Sequence, residues 1–331
     1  MPTIKDVAKL AGVAVSTASY ALNNSNKVKE ETKNKVMKAA EELNYQKNGL
    51  ASDLKRTSTN TIALILSDLS GPYYSELIKG VQDITRTHGF DLIACSSIGG
   101  SASTALKFLR EKRVDGVIIL AHNIKDETIQ SSARQDFPIV VLDRSLDNEF
   151  VNEIEVDNVQ GAFTATEYLI HKGHQEIAYI SGPANSHDNE LRLQGYKNAL
   201  NHHQLPYRSK WKISGEFTRE GGYKATKMLI AQNDLPEGIF YGNDEMAVGG
   251  LQALKENGIT VPEDISVIGF DDIQLSEFVS PPLTTMKQPK YEAGALAVHL
   301  IFQLLSNEKV ENYYKLSTEL VERESVKDRN A

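Results

Sequence analysis

Residues 3–23 read TIKDVAKLAGVAVSTASYALN, and this stretch decides the architecture of the N-terminal region. Thr3 followed by Asp6 is typical of a helix N-terminus, because a hydroxyl can bond a free backbone N–H and a carboxylate suits the positive first turn. Apolar residues then recur at helical spacing until Gly12, which can end the helix in a left-handed turn without a Cβ penalty. With a second helix over about 15–22, the stretch predicts a helix-turn-helix, although the spacing alone also allows an ordinary helical hairpin.

In a helix-turn-helix the start of the second helix enters the DNA major groove. The residues predicted to be exposed there, and so to read bases, are Val15, Ser16, Thr17, Ser19 and Tyr20. A third helix over 28–44 would close a small all-α domain, which we place at residues 1–46. A domain of that size is marginally stable alone.

Three motifs, TIKDVAxxAGV, TxSxxLN and a helix ending in LNY, closely resemble the headpiece of the lactose-repressor/galactose-repressor family of bacterial transcription regulators. The resemblance implies operator DNA as a partner, with Thr3 and Asn23 as further contacts. Ala14 stands where the family usually has a Ser that caps the second helix. The absence of such a cap costs about 0.5–2 kcal/mol of helix stability. Ser16 or a bound phosphate must then compensate. Tyr20 stands where relatives often have an Arg that reads a guanine, so we expect a different base preference there.

Residues 47–60 form the expected linker. The family resemblance implies a hinge helix that folds when a dimer meets its operator and enters the minor groove. Leu54 matches a residue that wedges into the central base step, and unstacking that step costs a few kcal/mol, offset by contacts that the bend allows. Ala51 lies one turn earlier, and Asn48 and Lys55 complete the expected DNA contacts. A plain flexible tether is the alternative.

Charge is distributed unevenly along the 331 residues, whose net charge is −8. Residues 1–60 hold ten Lys/Arg and six Asp/Glu, a balance of +4, whereas the remainder holds 26 and 38, a balance of −12. A basic end on an acidic body is expected if only that end meets phosphate, although a solvated helix face would also be basic.

The composition, 40% apolar and 24% charged, is typical of a globular protein. No apolar run reaches the roughly 20 residues that span a bilayer, and the N-terminus lacks the pattern of a signal peptide. Cys95, the single cysteine, cannot form an internal disulfide and is interpreted as core packing. We therefore expect a cytoplasmic protein with no membrane partner.

Beyond residue 61 the pattern changes to alternating strands and helices. Residues 62–66 are continuously apolar, as in a buried parallel strand. The alternation predicts doubly wound α/β layers, and about 270 residues predict two lobes. The predicted strands are 62–66, 91–95, 116–120, 139–142, 177–181, 239–241 and 266–270. The predicted helices are 73–88, 102–112, 126–135, 161–172, 190–202, 219–231, 244–257 and 290–305.

Polar or Gly-containing clusters directly follow five of these strands. In open α/β sheets, ligands bind beyond the carboxyl ends of strands. The clusters, which should converge on one cleft, are Ser67–Tyr74, Asp143–Arg144, Gly182–Pro183, Gly242–Asp244 and Asp271–Asp272.

Motifs along this region, among them DLSGPYY, VDGVI, RLxGY, NDEMA and VPEDISVIGFDD, are similar to the periplasmic-sugar-binding-protein fold that the same family carries as its effector domain. The resemblance implies a two-lobed regulatory domain over residues 61–331, with chain crossings near 161, 289 and 321. Lobe 1 would then comprise about 61–160 and 290–321, and lobe 2 about 161–289 and 322–331.

The resemblance also implies an effector site, with Arg192 as the main anchor because its planar fork bonds two adjacent oxygens. Acids, an amide and an Arg around an aromatic floor suit a sugar, and a purine could also stack there. Core packing remains the alternative for Phe217, and an internal ion pair for Asp143 with Arg144. The expected effector-binding residues are Tyr73, Tyr74, Asp143, Arg144, Arg192, Phe217, Asn243 and Asp271.

Two enzyme classes are disfavoured by missing motifs. Residues 67–72 lack the GxGxxG of a nicotinamide enzyme, and the phosphate loop GxxxxGK[ST] is absent. His171 and His174 are three residues apart, but Gly173 ends the helix between them. We expect no enzyme activity, no cofactor and no metal site.

The sequence therefore predicts a repressor of a sugar-utilisation operon whose operator affinity changes when a sugar or sugar phosphate enters the interlobe cleft. A purine- or phosphoprotein-corepressed regulator is the alternative within the family, and a sugar-binding protein or α/β enzyme without a DNA role is the alternative outside it. The expected partners are a near-palindromic double-stranded operator and a second copy of the chain, with a phosphoprotein corepressor left open. Leu77, Ile78, Val81 and Ile84 are candidates for the dimer interface. The sequence identifies neither the sugar nor the sign of its effect.

Overall fold

The computed structural model describes residues 2–45, 58–99, 103–184 and 186–331, and the chain forms two compact units, Met1–Thr59 and Asn60–Ala331. No helix in the described ranges is long and apolar enough to cross a membrane. The expected hinge contacts Asn48, Ala51, Leu54 and Lys55 lie outside the described residues.

The first unit contains a three-helix headpiece, with α1 at Ile4–Ala11, α2 at Val15–Leu22 and α3 at Glu30–Glu42. Gly12 has a φ of 65°, which confirms the predicted left-handed turn after α1. Small and β-branched side chains allow the three helices to approach closely. The core consists of Val7, Ala8, Ala18, Ala21, Val36, Ala39 and Ala40.

The two helices of the motif begin differently. At α1, the carboxylate of Asp6 accepts hydrogen bonds from the backbone N–H and the hydroxyl of Thr3, each at 2.7 Å, and these bonds lower the pKa of Asp6. At α2, the N-cap residue Ala14 has the extended backbone of a cap (φ −67°, ψ 151°) but no side chain bonds the first turn. Ser16 therefore does not replace the missing cap in this structure.

A hydroxyl at residue 14 is accordingly expected to stabilise the headpiece. Ala14→Ser requires no backbone change and should raise the free energy of unfolding by about 0.5–2 kcal/mol. Urea titration of a residue 1–59 fragment, followed by helical circular dichroism, measures this gain. Ser16→Ala is the matched control and should cost less; a larger cost for Ser16→Ala would identify Ser16 as the cap.

The second unit begins with a six-stranded sheet in the order β11-β5-β4-β3-β1-β2, in which all neighbours are parallel. Its strands are β1 Thr61–Leu66, β2 Asp91–Ser96, β3 Gly116–Leu120, β4 Ile139–Leu142, β5 Val151–Val156 and β11 Tyr313–Leu316. Its helices are α4 Tyr73–Thr87, α5 Thr104–Glu111, α6 Asp126–Ser132 and α11 Lys290–Leu305.

A second six-stranded sheet forms the other lobe in the order β12-β10-β9-β8-β6-β7, with β12 antiparallel to β10 and the other pairs parallel. Its strands are β6 Ile177–Ser181, β7 Lys212–Ser214, β8 Gly238–Tyr241, β9 Ser266–Asp271, β10 Thr284–Lys287 and β12 Glu319–Val321. Its helices are α7 Asn158–His171, α8 His187–His202, α9 Arg219–Ala231 and α10 Asp244–Glu256.

Three connections join the sheets, between β5 and α7, between β10 and α11, and between β11 and β12. The second agrees with the expected crossing near 289. The third lies between Leu316 and Glu319, because β12 pairs with β10 through Thr285 and Val321. The expected position near 321 and the lobe 1 limit at 321 are therefore too late. Strands β5, β7, β10, β11 and β12 were not predicted, since they are short or rich in polar residues.

Each lobe buries apolar side chains on both faces of its sheet. In β1, Ala63 and Ile65 face one cluster, and Ile62, Leu64 and Leu66 face the other. This two-sided burial is the reason that β1 reads as a continuous apolar run.

Helix α4 lies against α11 so closely that a Cβ on Gly80 would come within 2.2 Å of the Tyr291 carbonyl oxygen. Leu77 and Val81 are completely or almost completely buried there, with Ile78 and Ile84 packed beside them. Leu77 and Val81 are therefore not available to a dimer interface, because they belong to the core of the first lobe, whereas Ile78 and Ile84 stay partly exposed.

Candidate functional site

One face of α2 is open on the surface of the headpiece. Val15 and Tyr20 are each 43% exposed, and Ser16 is exposed beside them, whereas Thr17 and Ser19 are half-buried. The opposite face, through Ala18 and Ala21, forms part of the core. These residues give a contiguous, partly apolar surface at the start of the second helix.

Tyr20 and two further predicted contacts, Asn23 and Thr3, have partners inside the headpiece. The Lys27 ammonium lies 5.3 Å from the centre of the Tyr20 ring. Exposed Asn23 donates its side-chain amide to the Ser19 carbonyl at 2.9 Å. Thr3 is exposed and its hydroxyl bonds Asp6. Lys27 therefore brings a positive charge beside the aromatic residue of the reading helix.

In the second unit, strand ends of both lobes line a cleft of about 530 Å³. Loops that follow β1, β3 and β4 contribute one wall, and loops that follow β6, β7, β8 and β9 contribute the other. Seven predicted residues line it, namely Tyr73, Tyr74, Asp143, Arg192, Phe217, Asn243 and Asp271. The strand-end rule thus located the cleft.

Arg144, the eighth predicted residue, does not line the cleft. Its guanidinium donates to the Ile124 carbonyl at 2.8 Å and lies 3.3 Å from the Asp126 carboxylate. Arg144 therefore points away from this cleft, and its ion-pair partner is Asp126 and not Asp143.

Arg192 lies at the centre of the second-lobe wall and is only 5% exposed. Its Nε donates to Asn158 Oδ1 at 2.8 Å and its Nη1 to the Gly242 carbonyl at 2.6 Å. The same Nη1 lies 3.5 Å from Asp271 Oδ1, and the guanidinium stands 4.1 Å from the centre of the Phe270 ring. These contacts hold the fork rigidly at the edge of the cleft.

A chain of hydrogen bonds joins this wall to the first lobe. Gln288, in the connection between the lobes, donates to Asp271 Oδ1 at 2.6 Å and accepts from the Tyr73 hydroxyl at 3.3 Å. Lys290 donates to the Asp271 carbonyl at 2.6 Å and lies 3.6 Å from Glu76. A ligand that moves Asp271 would therefore disturb contacts of α4 in the other lobe.

Phe217 forms an aromatic wall of the cleft. Its φ of 56° is unusual for a bulky residue and marks a constrained loop. The ring lies over Gly182, where a Cβ would come within 2.3 Å of a ring carbon. Asn243 caps α10 by accepting from the Met246 N–H and donates to the Phe217 carbonyl at 3.2 Å, so it positions the aromatic loop.

Burial and repulsion between neighbouring carboxylates raise the pKa values of carboxyl groups in the cleft. Burial raises the pKa of Asp143 to about 8, with the neighbouring Asp188 adding to the effect. Burial likewise raises the pKa of Asp271 to about 6, against the opposing influence of Arg192. Both residues also have positive φ, 52° and 119°, as strained residues at functional sites often do.

Asp188 and His122 line the cleft but were missed in the sequence. Asp188 Oδ1 is buried and has no hydrogen-bond partner among the described residues, while Oδ2 lies 3.9 Å from His122 Nε2 in the other lobe. Both could have been found from the sequence. His122 lies just after β3, and Asp188 lies in the first turn of α8, the helix that follows β6.

A helix-turn-helix joined to a two-lobed α/β unit with a polar, aromatic-walled cleft defines a ligand-responsive DNA-binding protein. Residues 3–48 match the bacterial regulatory proteins of the lacI family, and residues 166–326 match the periplasmic binding protein-like domain. The HTH-type transcriptional repressor PurR of Pasteurella multocida is 37% identical over 99% of this chain and 100% of its own length.

Comparison with solved structures leads to the same family. The transcriptional regulator CelR–cellobiose complex is 31% identical, with a TM-score of 0.73, over 98% of this chain and 100% of that one. The lac repressor dimer bound to operator and the anti-inducer ONPF is 28% identical, with a TM-score of 0.80, over 98% of this chain and 99% of that one. The chain belongs to the lacI family of bacterial regulatory proteins and is a DNA-binding transcriptional repressor. These relatives also confirm that it is not an enzyme.

Proposed function

We propose that this repressor controls a sugar-utilisation operon and that a neutral sugar in the cleft changes its operator affinity. The charge balance of the cleft is the observation that carries the proposal. Two arginines and one histidine, Arg192, Arg219 and His122, line it. They face six carboxyl groups, those of Asp68, Asp143, Asp188, Glu216, Glu245 and Asp271. With a pKa of about 8, Asp143 is largely protonated at neutral pH, but the other five carboxyl groups still outnumber the cations. Carboxylates accept hydrogen bonds from hydroxyls and repel phosphate, so this surplus favours an uncharged polyol over a sugar phosphate.

The arrangement of donors and acceptors supports the same class of ligand. The guanidinium of Arg192 can bond two adjacent hydroxyl oxygens. Asp188 Oδ1, which has no hydrogen-bond partner among the residues that the structure describes, can accept from a third hydroxyl. The Phe217 ring can pack against the C–H face of a sugar. The CelR relative, solved with cellobiose, supports this reading.

A purine base is the second candidate effector. The flat face of Phe217 suits stacking, and buried carboxyls can accept the N–H groups of a base. The sugar is favoured because a base would leave more of the acidic wall without a donor.

Thermal unfolding of the full chain in the presence of neutral mono- and disaccharides, their phosphates and purine bases tests this proposal. We expect a rise in the melting midpoint with one or more neutral sugars and none with the phosphates. Calorimetric titration should then give one site per chain. A response to a purine base alone would overturn the sugar assignment.

For operator recognition, we propose that Val15, Ser16 and Tyr20 set base preference and that lysines near the headpiece contact phosphates. Ser16→Ala or Tyr20→Ala should change the ranking of operator variants by about 1–3 kcal/mol per lost base contact. Fluorescence anisotropy against a panel of single-base operator variants measures this. Lys27→Gln is the control and should weaken all variants alike; the same uniform loss for Tyr20→Ala would reduce Tyr20 to a backbone contact.

We propose a homodimer that binds a near-palindromic operator in the cytoplasm, since two-fold proteins match two-fold sites. Apolar residues on and after the open edge strand β2 support an interface there, with Ile93 40% and Ile98 67% exposed. A monomer mass at micromolar concentration in analytical ultracentrifugation would contradict the dimer.

A further inference from the structure

Two histidines and a glutamate meet on the surface of the second lobe, and none of the three lines the cleft. Glu167 and His171 are four residues apart on α7, so they share one face of that helix. His203 follows the last residue of α8. One ligand atom from each side chain lies within 4.8 Å of the other two.

The backbone that presents these side chains is held firmly. Helices α7 and α8 approach so closely that a Cβ on Gly195 would come within 2.2 Å of the Val159 carbonyl oxygen. The ring of Phe163, in the first half of α7, lies 5.9 Å from that of His202 at the end of α8. Buried residues of both helices also share one core cluster. A bound ion would therefore require side-chain rotation and no movement of the helices.

The donor set suits a particular class of ion. Two imidazole nitrogens and one carboxylate oxygen are the ligands of many three-residue Zn²⁺ sites, in which water fills the fourth position. Tetrahedral coordination at the usual Zn–N and Zn–O lengths places ligand atoms about 3.4 Å apart. Glu167 Oε1 and His203 Nε2 are already 2.9 Å apart, and the rings of His171 and His203 lie 5.5 Å apart at 88°.

The local field also favours a cation. Both α7 and α8 end at this point, and the C-terminal end of a helix carries partial negative charge. The nearest lysine in sequence, Lys172, is engaged elsewhere, 3.4 Å from the Asp328 carboxylate and over the ring of Tyr168. The carboxylate of Glu167 supplies the charge that the two neutral imidazoles lack.

We propose that Glu167, His171 and His203 bind a divalent transition-metal ion of the Zn²⁺ class. The ion would join the ends of α7 and α8 and stabilise the second lobe, with one coordination position open to water. The sequence predicted no metal site, and the spacing of His171 and His174 was rejected as one because Gly173 ends the helix between them. The structure buries His174 instead, with its Nε2 3.1 Å from the Lys327 carbonyl oxygen.

Titration of the untagged, metal-stripped full chain with ZnCl₂, by calorimetry and by competition with a chromophoric chelator, tests the proposal. We expect one Zn²⁺ per chain at micromolar concentration or below, no comparable binding of Mg²⁺ and a higher melting midpoint. His203→Gln and His171→Ala should each weaken Zn²⁺ binding at least about tenfold. His202→Gln, a histidine of the same surface outside the set, is the matched control and should leave binding unchanged.

Two results would overturn the site. Zn²⁺ binding only at millimolar concentration would leave Glu167 and His203 as an ordinary ion pair. Equal binding by the wild type and His203→Gln would place the metal on other surface histidines. Folding of each metal-free variant is verified by the fluorescence of Trp211, the single tryptophan, which is buried in the same lobe.

Discussion

Arg192→Ala is expected to abolish the effector response while operator binding stays largely intact. Among the described residues that line the cleft, Arg192 is the one buried cation, and Asn158 and the Gly242 carbonyl hold its guanidinium in place. A hydrogen bond that involves a charged group contributes about 1.5–3 kcal/mol, so loss of the two bonds from the guanidinium to adjacent hydroxyls should lower effector affinity by about 100-fold or more. Calorimetry with the effector and anisotropy with operator DNA measure the two halves of this prediction.

The same substitution removes the ion-pair partner of Asp271. Leaving a buried charge unpaired costs about 3–5 kcal/mol, although Asp271 can take up a proton and reduce that loss. Arg192→Lys is the matched variant, because it keeps a charge and loses the planar fork. It should retain more stability, followed through Trp211, yet still bind effector weakly. A normal effector response in Arg192→Ala would refute the assignment of the cleft.

The sign of regulation is a separate outcome of the same titrations. Coupling between effector and operator is typically worth 1–3 kcal/mol and must be reciprocal. If the wild-type effector tightens operator binding, the cleft assignment stands and the ligand is a corepressor.

Acidification from pH 8 to about pH 6 is expected to stabilise the second unit. Burial raises the pKa of Asp143 to about 8, of Asp244 to about 7 and of Asp271 to about 6. The folded state then holds more protons than the unfolded chain, so each group's contribution is largest near pH 4 and is lost as the pH rises through its folded pKa. Each group can add roughly 1 kcal/mol to the free energy of unfolding for each unit by which the pH falls below its folded pKa.

Urea unfolding of the full chain at several pH values, followed by Trp211 fluorescence, measures this trend. We expect a gain of about 3 kcal/mol over the interval. Burial lowers the pKa of His174 below its ordinary value of 6.5, which opposes the trend at the acid end. Asp244 accepts hydrogen bonds from Ile273, Ser276 and Thr285, and Asp244→Asn should flatten the pH dependence. Stability that instead falls steadily from pH 8 to pH 6 would show that these carboxyls are ionised in the folded state.

Local chemistry in the sequence determined the headpiece and the position of the cleft. Thr3, Asp6 and Gly12 set the ends of α1 through bonds and dihedral angles that involve residues only a few positions apart. The apolar run 62–66 and the polar residues that follow it predicted a buried strand and a ligand-binding edge for the same reason. Such patterns depend on helical or strand periodicity, which can be recognised within one short segment of the chain.

Tertiary structure decided what distant segments do together. In the folded structure Arg144 points towards Asp126, and Asp188 lies beside His122 of the other lobe. It also placed His203 against Glu167 and assigned β11 and β12 to different sheets. These outcomes depend on which helices and strands pack side by side. Packing is set by shape and burial over the whole unit, so no local pattern in the sequence contains it.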